Sequence, residues 1–399
     1  MLAYVGDPLF ARGITIGVWA ILLVKVVVTF ALVMLSVLFM VMYERKAVAW
    51  LGVRYGPNRA GPGGWLQSLA DGTKLFFKEA FVPARADKWV YKAAPYLAVV
   101  PAFVAFSIVP LGGTVHLFGH ATRLQLADPS WGILLLLMAS GIGVYGVMLA
   151  GWSSGSKYPL LGAVRASAQM VSYEAVVGLT VATVVLVTGS LHTSAIWASQ
   201  HGPTLYHWNV IRTGVIPFAL FFVAITAEMT RAPFDLVEAE EEISGGFNLE
   251  YSSIGFAFFY LAEYMNLVTN AAIIVTLWFG GPDGPGVAAY PWLGLLWFAL
   301  KTLIALYVFV WIRATLPRVR YDQLMELGWK RLIPGALAML LIVAGFRVKW
   351  TWGGAAVGGS LVAVAVLLRA VDVGSGEAAV DARSEETLTG GPATGMGTT

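Results

Sequence analysis

The sequence predicts an all-α polytopic membrane protein, and three observations carry that prediction. The chain is 58% hydrophobic and 12% charged, where soluble domains carry about 25% charged residues. Apolar runs near the ~20-residue length that spans a bilayer recur along it. Basic residues collect in alternate loops between those runs, the asymmetry that orients membrane helices.

The runs are Ile14–Tyr43, Ala93–Val115, Trp131–Trp152, Val171–Leu191, Val210–Ala227, Ser253–Phe279, Trp292–Ile312 and a short last one, Leu332–Phe346. They predict eight core transmembrane helices within residues 1–350. Residues 351–371 hold a candidate ninth span, weakened by its glycine pairs, and 372–399 read as a disordered tail without aromatic residues. The first run is too long for a cleaved signal peptide and has neither a basic leader nor a small-residue cleavage site. Loops after the first, third, fifth and seventh runs hold seventeen Lys and Arg, against five on the other side. Those loops are therefore expected in the cytoplasm, with the N-terminus outside.

Within the first basic loop, residues 62–81 form an amphipathic pattern. At helical spacing Trp65, Leu66, Leu69, Ala70, Phe76, Phe77, Ala80 and Phe81 share an arc of about 160°, opposite Gln67, Asp71, Lys74 and Lys78. Such a helix lies flat at the membrane interface. It is either a lipid anchor or the frame of a side entrance for a lipid-soluble ligand.

The third basic-side loop, residues 228–252, is acidic. From Glu228 to Glu250 it holds seven carboxylates and one base, Arg231. Charge runs are often no more than solvated surface. Crowded carboxylates, however, cannot all ionise cheaply, and such a group takes up or releases protons near neutral pH. Glu228 closes the fifth run and Glu263 lies inside the sixth. Glu263 stands 13 residues beyond Glu250, roughly 20 Å of helix. Ionisable groups at that depth mark proton or ion pathways. Glu174, near the basic end of the fourth run, is another. Lys25 and Lys301 are weaker candidates, because long lysine stems snorkel.

Several chemistries are excluded. The chain has no cysteine, so it holds no disulfide, iron–sulfur cluster or thiolate metal site. Its five histidines lie between spans without metal-ligand spacing, and no metal is expected. GIGVYG, Gly141 to Gly146, matches a dinucleotide fingerprint in letters but sits inside a span with no strand before it. Small residues there serve close helix packing. Nothing suggests nucleic-acid binding.

Four stretches then identify a family: YERKAVAWLGVRYGPNRAGPGGWLQSLADGTKLFFKE, RAPFDLVEAEEEISGGFNLEY, FYLAEYMN and YDQLMELGWK. From Tyr43 to Arg331 the chain resembles the H-type membrane subunit of the proton-pumping NADH:quinone oxidoreductase, respiratory complex I, whose mitochondrial counterpart is the first core membrane subunit. The resemblance implies a subunit that is inactive alone, with quinone as substrate and NADH, FMN and iron–sulfur clusters in partner subunits. Those partners comprise hydrophilic quinone-site and terminal-cluster subunits, small membrane subunits and antiporter-like subunits. It implies that Glu44, Arg45, Asp71, Arg231, Asp235 and Arg313 line a quinone chamber. Glu238, Glu240 and Glu242 would continue it as an acidic loop, and Glu174, Glu228 and Glu263 would form a proton path. Trp65, Leu69, Phe76 and Phe77 would face lipid at the entrance. The expected setting is a bacterial cytoplasmic membrane. Two other readings stay open on residues alone: the membrane subunit of an energy-converting hydrogenase, and a stand-alone cation/proton transporter. The transporter is opposed by the absence of an inverted repeat.

Overall fold

The computed structural model describes residues 7–10, 15–117, 119–202, 205–237, 245–287, 289–349, 353–354 and 356–359. Its helices are α1 (Ile16–Leu51), α2 (Gln67–Phe77), α3 (Lys88–Ser107), α4 (Gly132–Ser153), α5 (Lys157–Thr188), α6 (Thr193–Ala198) and α7 (Asn209–Arg212). There follow α8 (Val215–Glu228), α9 (Ser253–Trp278), α10 (Leu293–Thr315), α11 (Tyr321–Glu326) and α12 (Ile333–Val348). The sheet among the described residues is one antiparallel hairpin, β1 (Thr114–Leu117) with β2 (His120–Arg123), in the register Thr114 to Arg123.

Seven of these helical segments are long and apolar enough to cross a membrane: α1, α3, α4, α5, α9, α10 and the continuous run Tyr321–Val348. That run joins α11 to α12 through a π-helical turn, Leu327–Leu332. The expected fifth span is shorter than its apolar run. Gly214, at φ 95°, breaks the chain between α7 and α8, so α8 keeps 14 residues, about 21 Å. The fourth span is longer than hydropathy suggested. The chain turns tightly after α4, and α5 already begins at Lys157, which puts Glu174 at mid-helix.

Loops gather into two knots at opposite ends of the bundle. At the basic end, Ser253 Oγ donates to the carbonyls of Leu75 (3.1 Å) and Lys78 (2.7 Å), and Phe81 N donates to Ser252 Oγ (2.9 Å). This contact ends α2 at Phe77, and a 3-10 turn at Pro62–Gly64 precedes it, so Trp65, Leu66, Ala80 and Phe81 lie outside the helix predicted over 62–81. At the other end, Gln200 binds Thr276 O (2.8 Å) and Asn209 Nδ2 binds Leu277 O (2.8 Å). Lys301 there caps the end of α9.

Lipid is as apolar as a leucine side chain, so small residues rather than hydrophobicity bring the helices together. A Cβ at Gly146 would stand 2.7 Å from Ala98 N of α3, and one at Gly151 would stand 2.3 Å from Pro159 O of α5. Around α9 the core is closed by Tyr173, Phe221, Met265, Ile273 and Trp278, all buried. The candidate ninth span and the tail fall outside the described residues except for 353–354 and 356–359.

Candidate functional site

α1 runs 36 residues, about 54 Å, and so carries the ERK motif beyond the apolar run to the basic end of the bundle. Glu44 faces inward there and is buried. Its Oε1 accepts from Arg231 (2.9 Å) and also from Arg313 at the end of α10. Arg231 is itself buried, with Nε 2.8 Å from Glu263 Oε1 and its guanidinium over the Tyr264 ring at 4.5 Å. Burial opposes the Arg231 charge, but Glu263 and Glu44 outweigh it and hold the side chain protonated.

The loop after α8 is pinned to present Arg231. Gln169 of α5 donates to Ala227 O (2.7 Å) and Phe234 O (2.9 Å), and Val319 N donates to Pro233 O (3.0 Å). Thr230 sits at φ 51°, a conformation that costs a β-branched residue roughly 1–3 kcal/mol and recurs at functional sites. Asp235 is tied to Arg318, whose Nε donates to Asp235 O (2.7 Å), with the carboxylate 3.7 Å from its NH2.

Glu263 faces a cavity as well as Arg231. The cavity, with room of about 100 Å³, opens between α3, α4, α8 and α9. Glu263, Asn266 and Asn270 project into it from one face of α9, and Glu228, Ser140 and Gly143 meet them from the other side. Ser140 Oγ donates to Glu228 Oε1. On the next residue a Cβ would stand 3.2 Å from Glu174 Oε1, so the bare backbone at Gly141 makes room for that carboxylate. The three glycines of GIGVYG therefore differ: Gly146 packs on α3, Gly141 seats Glu174, and Gly143 opens on the cavity.

The predicted chamber residues separate into three groups. Glu44, Arg231 and Arg313 form one cluster, which also draws in Glu263. Asp235 lies beside it with Arg318. Arg45 and Asp71 form their own half-exposed pair at 2.7 Å, with Gln67 Nε2 on the other Asp71 oxygen at 3.0 Å. None of Glu44, Arg45, Asp71, Arg231, Asp235 or Arg313 lines this cavity, which belongs to Glu228 and Glu263. Glu238, Glu240 and Glu242 lie outside the described residues. Just before α2, Trp65 stacks on Phe39 of α1 at 5.3 Å. Leu69, Phe76 and Phe77 are exposed along α2.

Sequence reasoning missed Ser140, Gln169, Tyr264, Asn266, Asn270 and Arg318. The asparagines had a signal, since they stand three and seven positions after Glu263 on one helical face. Gln169 and Ser140 had none, because their partners lie tens of residues away.

The family model for NADH dehydrogenase matches residues 24–344. The H-type NADH-quinone oxidoreductase subunit of Frankia alni is 49% identical over 364 residues, covering 88% of this chain and 79% of that protein. Its counterpart in Streptomyces avermitilis is 48% identical over 339 residues, covering 82% and 74%. These relatives are named for the quinone oxidoreductase, not for a hydrogenase or a carrier. The match spans every element of the site, from Glu44 on α1 to Arg313 on α10, and the chain belongs to the NADH dehydrogenase family, together with the H-type subunits of NADH-quinone oxidoreductase.

Proposed function

We propose that this membrane subunit guides quinone to the enzyme's reduction site and passes the resulting charge change sideways through its glutamates. One observation carries the reading: Arg231 pairs with Glu44 on one side and with Glu263 on the other, and Glu263 opens on the cavity that holds Glu228. Within the cluster, Glu44 Oε2, Arg231 NH2 and Asp235 Oδ1 have no hydrogen-bond partner among the described residues. Buried polar atoms are rarely left so, and a quinone head, a partner subunit or water would complete them. The exposed apolar side of α2 gives an isoprenoid tail a lipid-level approach, and either ubiquinone or menaquinone would fit that chemistry.

Reduction of a quinone to its quinol takes up protons, and any delay leaves negative charge in the chamber. That charge competes with Glu44 and Glu263 for Arg231. A weakened Arg231–Glu263 pair raises the proton affinity of Glu263, which takes a proton from the cavity side. Asn266, Asn270 and Ser140 then provide polar steps towards Glu228, and Glu174 stands behind Gly141 as the next acceptor. Antiporter-like partner subunits would receive the change. The acidic residues 238–242 would supply protons from the basic face, which we place in the cytoplasm of a bacterial cell.

Replacing Glu263 tests the relay. In Glu263→Gln, quinone-coupled proton transport should fall at least tenfold, about 1.4 kcal/mol, while NADH oxidation by ferricyanide stays intact. Normal proton transport in that variant would sink the proposal.

A further inference from the structure

Arg231 has its two carboxylate partners on different helices, Glu44 on α1 and Glu263 on α9. One short element is hydrogen-bonded to both of those helices. At its beginning α2 is fixed to α1. The buried Ser68 donates to Leu38 O (3.0 Å), Asp71 pairs with Arg45 (2.7 Å), and Lys46 donates to Gly63 O just ahead of the helix. At its end α2 is fixed to α9. A helix leaves its last carbonyls without partners. Here Ser253, the first residue of α9, turns its hydroxyl to Leu75 O (3.1 Å) and Lys78 O (2.7 Å). Ser252 adds a bond from Phe81 N (2.9 Å) and one to Glu79 O (3.3 Å).

Ser253 is held in place for that contact. It is buried, and its backbone stands at φ 56°, a region that strains a non-glycine residue and persists only where the surroundings enforce it. The enforcement comes from the residues just before it. Tyr251 Oη donates to Tyr91 O (2.9 Å), Tyr91 Oη donates to Glu250 O (2.7 Å), and the two rings stack 4.0 Å apart. Tyr91 O is free to accept because Pro95, one turn on in α3, has no N–H to offer it. Gly162 lets α5 close on the same segment, since a Cβ there would stand 2.9 Å from Gly246 Cα. The start of α9 is therefore anchored to α3 and α5, and the hydroxyl at 253 ties α2 to that anchor.

We propose that α2 is a strut between α1 and α9, with Ser253 as its positioning residue, and that the strut sets how Glu44 and Glu263 stand about Arg231. The inference deepens the relay proposed above and rests on it. Glu44 is six residues along α1 from Leu38, and Glu263 is ten along α9 from Ser253, about 9 and 15 Å of helix. A quinone passing along α2 displaces the strut, and both carboxylates feel the displacement through those short lengths of helix. The Arg231 pairs are thus disturbed on quinone entry as well as by charge on the quinone.

The test uses the intact complex in sealed vesicles, reading protons moved per NADH consumed, NADH:ferricyanide activity and melting temperature. Ser253→Gly removes the hydroxyl and relieves the positive φ. Assembly, melting temperature and ferricyanide activity should therefore match the parent, while the proton ratio falls about twofold or more. Ser253→Asn, which tolerates that backbone and carries a donor, should restore most of the ratio. Ser68→Ala releases the other end of α2 and should lower the ratio equally; it carries the test by itself should Ser253→Gly fail to assemble. Losses at distant, independent sites add, whereas a strut cut at one end transmits nothing. The Ser68→Ala/Ser253→Gly double variant should accordingly be no worse than either single variant. A parental ratio in the single variants, or additive losses in the double variant, would overturn the strut. So would a lowered melting temperature with an unchanged ratio, which would make Ser253 a helix cap and no more. If Glu263→Gln still lowers proton transport in the same preparation, the relay stands without the strut; normal transport in Glu263→Gln would remove both.

Discussion

Two cations inside this bundle, Arg231 and Lys301, are neutralised in opposite ways. Lys301 Nζ lies 2.8, 3.0 and 2.6 Å from the carbonyl oxygens of Phe279, Gly281 and Asp283, with the Trp208 ring 4.9 Å away. It caps the carbonyl end of α9, where the helix dipole favours a cation. Arg231 is instead held by Glu44 and Glu263, groups that can gain a proton, and one of them faces a cavity. The carbonyls that bind Lys301 directly cannot change charge, and the nearby Asp283 carboxylate is itself held by His201 at 2.9 Å, so Lys301 is locked. Carboxylate partners can change charge, so the Arg231 cluster has more than one arrangement available. A buried charge alone therefore does not mark a pathway; the chemistry of its partners does. Lys25 has a carboxylate partner as Arg231 does, but its contacts join two segments rather than face the cavity. It binds Asp7 (2.7 Å) and Thr122 Oγ1 (3.0 Å), joining the first helix to the β hairpin.

The contrast can be broken or sharpened by substitution. The largest effect is expected at Arg231→Met, which leaves two buried carboxylates without their shared partner. Removing one member of a buried ionic pair costs about 3–5 kcal/mol. The assembled enzyme should lose quinone reduction and melt at lower temperature in a thermal-shift assay, whereas Arg231→Lys should recover assembly but little activity. Full activity in Arg231→Met would end the idea that the cluster is a working element.

Lys301→Met should come next, and only in stability. It strips three carbonyls of a donor, and leaving a buried polar group unsatisfied costs about 1–3 kcal/mol. Its ratio of protons moved to NADH consumed should match the parent in sealed vesicles. A lowered ratio would erase the distinction between locked and exchangeable cations.

A subtler effect is expected at Gly141→Ala. The new methyl would meet Glu174 Oε1 at 3.2 Å and push the carboxylate by a few tenths of an ångström. The proton-to-electron ratio should drop while NADH:ferricyanide activity holds. Gly143→Ala, two positions on, meets nothing within 4 Å and serves as its control. If both variants behave alike, Gly141 is a packing residue and Glu174 loses its place in the relay.

The smallest stability change should follow Arg45→Ala or Asp71→Asn. That pair is half exposed, and such pairs contribute about 0.2–1 kcal/mol. A larger loss in melting temperature would show that α2 depends on the pair for its position against α1. Selective loss of quinone turnover at unchanged stability would place the pair on the substrate's route.

Much of the site was legible because lipid makes charge conspicuous. Glu263 and Glu174 stand out in apolar runs whatever they touch, and Arg231 stands out as the one base among seven acids. Their association was not legible. Glu44 and Arg231 are 187 positions apart, and Glu44 and Arg313 are 269 apart; no local pattern links such residues. Glu263 was assigned to a proton path and Arg231 to a chamber, yet the two are one ion pair. Element boundaries failed for related reasons. Hydropathy missed the first turns of α5, where Lys157, Arg165 and the buried Gln169 interrupt the apolar run, and it ran through Gly214, where the backbone turns.

By itself the sequence determined which segments are helices crossing a membrane. A backbone in lipid must satisfy its own hydrogen bonds within each segment, so length and hydropathy located seven of the eight expected spans, the fifth run carrying a helix of only 14 residues. It also determined that ionisable groups lie inside those segments. Only the tertiary structure decided which charge meets which, that Gly141 yields its side-chain space to Glu174, and that Glu263 stands between an arginine and a cavity. Those are distances between separate helices, fixed when small residues let their backbones approach, and no single segment carries them.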